Sequence, residues 1–262
     1  MRIVLVGAGR LATNLGRALR EAGHDISAVY SRTMESADTL ARLLGCPATN
    51  RLDALPTEAD IYIVCVKDQV LADLIPELVR GRERQLFVHT AGSMPMSLFE
   101  GHAARYGVFY PMQSFSKERQ VDFHDIPVFT ESSDATVHDM LQQLAQSISQ
   151  RVYQLDSEGR KYLHLAAVFA CNFVNHCYAL SAEVLERHGI PFDVMLPLID
   201  ETARKVHQLH PRDAQTGPAV RYDENVINMQ RQLLEGHPEV QTLYELLSRS
   251  IHSMHQKTDQ QK

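Results

Sequence analysis

The stretch that most constrains this chain is its first twelve residues. Arg2-Ile3-Val4-Leu5-Val6 is a short apolar run rich in β-branched side chains, and it leads directly into Gly7-Ala8-Gly9-Arg10-Leu11-Ala12. A G-x-G-x-x-A turn held between a strand and a helix admits few folds. Gly7 permits the tight turn, Gly9 leaves the backbone open to close approach, and Ala12 lets helix and strand pack together. The helix expected over residues 13–22 turns its free amides and positive dipole end toward the same point, where a dinucleotide diphosphate would sit. Gly7, Gly9, Arg10, Leu11 and Ala12 are therefore the first candidate cofactor residues. The alternative is a strand–turn–helix with no ligand.

The end of the next strand bears on which dinucleotide. Asp25-Ile26-Ser27-Ala28-Val29-Tyr30 runs into Ser31-Arg32-Thr33, where an NAD site usually places Asp or Glu to hold the ribose 2′-hydroxyl. A carboxylate there would repel a 2′-phosphate, whereas Arg32 can grip one through two parallel hydrogen bonds. NADP(H) is expected, with Ser31, Arg32 and Thr33 around its 2′-phosphate. The alternative is a surface loop that happens to contain an arginine.

Composition excludes several classes of function. With 262 residues, 44% of them hydrophobic, the chain is long enough for one large domain or two ordinary ones. A net charge of −6 gives no support for nucleic-acid or anionic-membrane binding, so attraction for an anionic cofactor must be local. Cys46, Cys65, Cys171 and Cys177 form no C-x-x-C pair and lie in apolar runs, as reduced core residues of a cytoplasmic protein would. No signal peptide is expected before the first strand. Residues 163–182 are apolar enough to span a bilayer, but His164, Asn172, Asn175 and His176 interrupt them and a buried helix is expected.

Strand and helix alternate through the first half. Strands are expected at 2–6, 25–30, 60–66, 85–90, 106–110, 126–130 and 151–155, with a short extended piece at 47–49. Helices are expected at 34–44, 69–80 and 134–150. That order argues for a doubly wound parallel sheet of Rossmann type. After residue 156 only helices are expected, at 157–188, 192–210, 223–235 and 238–254. Gly189 and Pro191 would end the first, and Pro238 suits the first turn of the last. Val240, Leu243, Tyr244, Leu247, Ile251 and Met254 make one apolar stripe at helical spacing, suited to core or dimer surface. The fold class is thus α/β followed by an all-α domain. The domains are expected at 1–155 for NADP binding and 156–256 for substrate and dimerisation, with a frayed tail at 257–262.

In open α/β sheets ligands lie beyond the carboxyl ends of the strands. Two further strand ends carry suitable groups: Val66-Lys67-Asp68-Gln69 and His89-Thr90-Ala91-Gly92-Ser93. Val66, Lys67, Thr90 and Ser93 are candidate neighbours of the nicotinamide half, or members of ordinary loops. Residues 110–115 could cover the nicotinamide end. On the long helix, a regular turn places Asn175 within roughly 20° of His164 and Asn172 roughly 80° from it. Three polar groups on one apolar helix either hydrogen-bond within a core or meet a polar substrate between domains. On the second reading His164 is the proton donor, since imidazole suits that task at neutral pH, and Asn172 positions the substrate. His207 and His210 lack a third ligand, so no metal is expected. In Thr216-Gly217-Pro218-Ala219-Val220-Arg221-Tyr222-Asp223, Gly-Pro marks a turn, Asp223 can cap the next helix and Arg221 could meet an anionic group.

These residues resemble known families. Residues 4–12, with Ser31-Arg32-Thr33 and Cys65-Val66-Lys67-Asp68, look like the Rossmann half of pyrroline-5-carboxylate reductase and are similar to that of F420-dependent NADP oxidoreductases. The segments His89–Ser93, Tyr162–Ala170 and Gly217–Asp223 look like a bacterial group of Rossmann-like proteins with its own helical C-terminal domain, of the 6-phosphogluconate dehydrogenase type. The resemblance implies an NADP-dependent oxidoreductase and a homodimer through the C-terminal helices, but supplies no substrate; the leading expectation is a reductase of a small carbonyl or imine in an interdomain cleft. Two departures qualify it. His164-Leu165-Ala166-Ala167-Val168-Phe169 stands where pyrroline-5-carboxylate reductases carry Ser-Gly-Ser-Gly-Pro-Ala, and Lys161 is followed four positions later by Leu165, not by the Asn of β-hydroxyacid dehydrogenases. The same departures motivate an alternative, a non-catalytic NADP(H)-binding sensor. A third reading, reduction of a deazaflavin such as F420, requires a broad groove beside residues 111–115.

Overall fold

A computed structural model describes residues 1–117 and 119–259 of the chain. It divides into two compact units, Met1–Cys171 and Asn172–Lys262.

The first unit is built on an eight-stranded sheet: β1 (Arg2–Val6), β2 (Asp25–Tyr30), β3 (Ala48–Thr49), β4 (Ile61–Val64), β5 (Leu86–His89), β6 (Arg105–Pro111), β7 (Val128–Ser132) and β8 (Val152–Gln154). Their spatial order is β3-β2-β1-β4-β5-β6-β7-β8, the order of a doubly wound dinucleotide fold extended at one edge. The helices are α1 (Arg10–Glu21), α2 (Met34–Leu44), α3 (Asp68–Val79), α4 (Ala135–Gln146) and α5 (Ser157–Ala167). Strand periodicity sorts the core into two layers. Ile3, Leu5, Ile61, Ile63 and Val88 face one side, with Leu15 and Leu19 of α1, Leu40 of α2 and Leu141 of α4. Val4, Val6, Tyr62, Val64 and Phe87 face the other, with Leu71, Ile75 and Leu78 of α3. Because helices cover both faces, all four residues of β4 are buried, and the strand reads as a continuous apolar run.

One pairing departs from the parallel sheet expected. β7 runs antiparallel to β6, because no crossover helix separates them, and α4 then returns the chain so that β8 lies parallel to β7.

The change from strand to helix falls at Asp156, which caps α5 by accepting a hydrogen bond from the amide of Gly159 at 2.8 Å. The break in packing falls later, at residue 171, because α5 is anchored to the sheet. Arg160 is the anchor. Its side chain is 1% exposed, and its guanidinium reaches Glu131 of β7 at 2.5 Å and the carbonyl of Met94 at 2.6 Å. Glu131 also accepts from the amide and hydroxyl of Ser157, both at 3.0 Å. Removing one partner from such a buried pair leaves an uncompensated charge and costs roughly 3–5 kcal/mol.

The long helix expected over 157–188 is not continuous. α5 passes into a wide π-type segment at Val168–Phe173, and α6 (Val174–Glu186) follows. An extra residue in the turn shifts the helical phase by about 100°, so the angular count relating His164 to Asn172 and Asn175 does not carry across it.

The second unit continues through α7 (Leu196–Lys205), α8 (Pro218–Arg221), α9 (Glu224–Gln232) and α10 (Pro238–Asp259). Gly217 takes a positive φ of 107°, Pro218 opens α8, and Asp223 caps α9 by accepting from the amide of Val226 at 3.3 Å, as expected of that segment. α10 runs on through residues 257–259, which were expected to fray; residues 260–262 lie outside the described residues.

Burial along the helices contradicts two expectations. The helical run Ser157–Glu186 is long and apolar enough to cross a membrane, yet no residue of its most apolar window is buried. Cys171 and Cys177, expected in the core, are exposed, while Cys46 and Cys65 are partly buried; all four are free. The second unit has little interior. Among its described residues the only buried apolar side chains are Ala219 and Ile227.

Candidate cofactor and active site

The glycine turn is shaped by the strand beside it. Gly7 has φ 118°, and a Cβ there would stand 2.4 Å from the carbonyl oxygen of Cys65, so both conformation and space demand glycine. Its amide donates to the carbonyl of Tyr30 at 2.7 Å, which ties the turn to the end of β2. Gly9 is different: a Cβ on it would meet nothing within 4 Å. It opens α1 as the cap residue, with no side chain capping the helix. Open space in front of uncapped amides is the cradle a diphosphate needs. Leu11 is half-buried and Ala12 buried against the sheet, while Arg10 is exposed.

Ser31, Arg32 and Thr33 stand at the end of β2 next to the end of β3, where the amide of Ser31 donates to the carbonyl of Thr49 at 3.2 Å. Thr33 donates to the hydroxyl of Ser36 at 2.9 Å. Arg32 is exposed and, among the described residues, makes no hydrogen bond or ion pair. Nearby Arg51 is already paired with Asp53 at 2.5 Å. Of these two cations, Arg32 is the one left to meet an anion. Arg10 and Lys67 are likewise exposed and without an ion-pair partner among the described residues. In a chain of net charge −6, three uncommitted cations at the glycine turn and the ends of β2 and β4 fit a ligand rich in phosphate.

The ends of β4, β5 and β6 hold a compact polar cluster. Thr90 is buried and its hydroxyl donates to the carbonyl of Val64 at 3.3 Å, which occupies it in holding β5 to β4. Ser93 donates a short hydrogen bond to Asp68 at the start of α3. His89 is fully buried: Nδ1 accepts from the amide of Ala91 and Nε2 donates to the carbonyl of Pro95, each at 3.2 Å. Burial first, and then the Arg160 guanidinium, push its pKa down to about 4. His89 is a neutral clasp that shapes the turn over residues 91–95. Val66 is half-buried beside the glycine turn, its side chain 3.4 Å from where a Gly7 Cβ would stand.

His164 on α5 joins this cluster. Its Nδ1 lies 3.1 Å from the hydroxyl of Tyr110 at the end of β6, with the rings edge to face at 6.2 Å. Gly92 makes the approach possible, since a Cβ there would stand 2.5 Å from Nδ1 of His164. Asn172, the other candidate catalytic residue, is the first residue of the second unit and is exposed, as are Asn175 and His176. Residues 110–115 do not hang free. The carbonyl of Ser116 accepts from Asn14 of α1 at 2.8 Å, and Phe115 stacks on Phe123 at 5.7 Å.

Sequence reading singled out the segments that hold Asp68, Gly92 and Tyr110 but gave those three residues no individual role, and it missed the Arg160–Glu131 pair. Gly92 after a strand and Arg160 one helical turn before His164 were the available signals. Among the described residues no three His, Cys, Asp or Glu side chains converge as metal ligands.

Comparison with known proteins places these features in a family. Residues 2–92 match the family model for coenzyme F420-dependent NADP oxidoreductase, and residues 126–251 match a domain of unknown function, DUF2520. A Bacteroides fragilis protein provisionally described as an NADP oxidoreductase is 57% identical, with a TM-score of 0.93 over 96% of this chain and 98% of that one. The chain belongs to this family of NADP oxidoreductases, in which a Rossmann domain precedes a helical domain. More distant structures share the fold. An imine reductase from Myxococcus stipitatus, in complex with NADP+, is 16% identical with a TM-score of 0.67 over 99% of this chain and 94% of its own. A pyrroline-5-carboxylate reductase from Coxiella burnetii is 15% identical with a TM-score of 0.59 over 95% and 98%. No curated protein sequence matches the chain.

The buried His89 makes a testable contribution to stability. Its folded pKa of about 4 lies below the ordinary 6.5, so protonation favours the unfolded chain. Stability should be unaffected above pH 6.5 and fall as pH drops toward 4, by about 3 kcal/mol from this residue. Urea denaturation between pH 7 and pH 4 should show a shallower decline in His89→Asn than in the wild type. Parallel declines would mean that His89 does not titrate on unfolding.

Proposed function

We propose that this oxidoreductase is an NADPH-dependent reductase of a small carbonyl or imine, with His164 as the proton donor. The observation that carries the reading is the placement of His164. It stands against the carboxyl ends of β5 and β6, where this fold class binds the reactive half of its ligands, in the same unit as the glycine turn. NADPH, when bound, supplies the hydride. The amides of Arg10, Leu11 and Ala12 hold the diphosphate, and Arg32 with Ser31 and Thr33 holds the 2′-phosphate. Val66, Lys67, Thr90 and Ser93 border the nicotinamide half. His164 gives its proton to the carbonyl oxygen or imine nitrogen as the adjacent carbon is reduced, and Asn172 orients the substrate. The four unpaired cysteines suit a reducing cytoplasm.

The same reading makes the active species a homodimer through the C-terminal helices. Its support is the exposed apolar surface of the helical unit: Leu233 is 78% exposed, Leu198 59% and Val194 55%, with a groove of about 400 Å³ lined by Leu180, Val184, Leu243 and Tyr244. Surface of this kind marks an interaction site.

Three measurements test these assignments. Arg32→Asp should weaken NADPH binding by roughly 10–150-fold, the worth of about 1.5–3 kcal/mol of charged hydrogen bonds, and leave NADH binding nearly unmoved. An unchanged preference between the two would remove Arg32 from the site. Following NADPH absorbance over a panel of imines and 2-oxo acids should find a substrate, and His164→Ala should then lower kcat by roughly 10²–10⁴-fold with NADPH affinity intact. Binding of NADPH with no oxidation across the panel would favour the sensor reading. Sedimentation at micromolar concentration should give twice the 29.6 kDa chain mass; a monomer that turns over would refute the dimer.

A further inference from the structure

We infer that Tyr110 is a positioning residue for His164: its hydroxyl donates to Nδ1, holds the imidazole as the Nε2–H tautomer and so presents the proton on the ring edge away from the sheet. The inference rests on the proposed donor role of His164 for its functional meaning, but its structural content stands on separate observations.

Tyr110 Oη and His164 Nδ1 are 3.1 Å apart, and no other hydrogen-bond partner for Oη is found among the described residues. Tyr110 is only 9% exposed. Burial pushes its phenol pKa up, the nearby Asp68 carboxylate adds to the rise, and the Arg160 guanidinium opposes it. The phenol therefore keeps its proton, and that proton needs an acceptor. Were Nδ1 the protonated nitrogen, Oη would accept and the phenol hydrogen would be left buried without a partner, an arrangement folded proteins avoid. With Nδ1 accepting, both groups are satisfied. Nε2, which has no hydrogen-bond partner among the described residues, then carries the transferable proton.

Two further features remove the freedom to rearrange. A Cβ on Gly92 would lie 2.5 Å from His164 Nδ1, 2.8 Å from its Cγ and 3.0 Å from Tyr110 Cζ. The φ of Gly92 is not positive, so glycine is needed here for clearance and not for conformation. Arg160 lies one turn before His164 and clamps α5 to Glu131 and to the carbonyl of Met94. The groups with charge or titratable protons around the pair are Asp68, His89, Glu131 and Arg160. The positive charge of Arg160 is matched by Glu131, and His89 is held neutral by burial. Among the described residues no ion pair includes His164, and the tyrosine hydroxyl is the hydrogen-bonding group that meets Nδ1, so it selects the tautomer.

Long-range proton–nitrogen NMR correlation on the full-length protein labelled with ¹⁵N-histidine reads the tautomer without any substrate, with His164→Gln assigning the signals. The wild type should show a protonated Nε2 and an acceptor-type Nδ1, and Tyr110→Phe should lose that preference. Once a turnover assay is in hand, Tyr110→Phe should lower kcat about tenfold with KM and NADPH affinity unmoved. A protonated Nδ1 in the wild type, or an unchanged tautomer in Tyr110→Phe, would overturn the inference while leaving His164 free to be the donor. Unchanged turnover in His164→Ala would instead remove the donor role and leave the tautomer result standing.

Discussion

The guanidinium of Arg160 is withdrawn almost wholly from water, and the position of every group on α5 follows from what it meets there. It is matched by Glu131 on β7, braced by the carbonyl of Met94 and by Ser157, and its Nε has no partner among the described residues. An unsatisfied buried donor costs about 1–3 kcal/mol, and apolar replacements for buried ion pairs are often no less stable. The contribution of the pair is therefore better read as position than as net stability. It pins the first turns of α5 to the extended edge of the sheet and to the turn after β5. His164, one turn on, is delivered to the ends of β5 and β6.

Charge is distributed to the same purpose. The chain is acidic overall, yet the residues facing the glycine turn and the ends of β2 and β4 include Arg10, Arg32 and Lys67, none committed to an ion pair among the described residues. Other cations are spent internally: Arg82 donates to the carbonyls of Leu52, Leu55, Pro56, Leu78 and Arg80, and Arg51 holds Asp53. A phosphate-rich ligand at these strand ends would meet local positive charge against an overall field that repels it.

Much of the first unit was legible from local pattern. The apolar run of β1 and its glycine turn, the limits of β2 and α2, and the fully apolar β4 all follow from periodicity and turn chemistry, which act over a few residues. The antiparallel β7 was not legible, because strand direction depends on whether a crossover helix intervenes and the loop after β6 carries no sign of its own. The π segment at Val168–Phe173 escaped for a related reason. An uninterrupted helical period was assumed, and one extra residue in a turn leaves composition unchanged while it rotates everything that follows. The helical unit looked like a buried bundle because its sequence is apolar, but burial is decided by packing, and within this unit Ala219 and Ile227 are the only buried apolar side chains among the described residues.

What the sequence alone determined is therefore the class of ligand. A glycine turn between strand and helix, followed by Ser31-Arg32-Thr33 where a carboxylate would favour the other dinucleotide, is written in contiguous residues and needs no tertiary contact to be read. The polar cluster around His164 is different. Gly92, Tyr110, Glu131, Arg160 and His164 come from three strands or turns and one helix, spread over residues 92–164. Only the fold brings the Tyr110 hydroxyl to His164 and leaves out the Cβ that would part them, because hydrogen bonds and steric clearance are decided by distance in space and not along the chain.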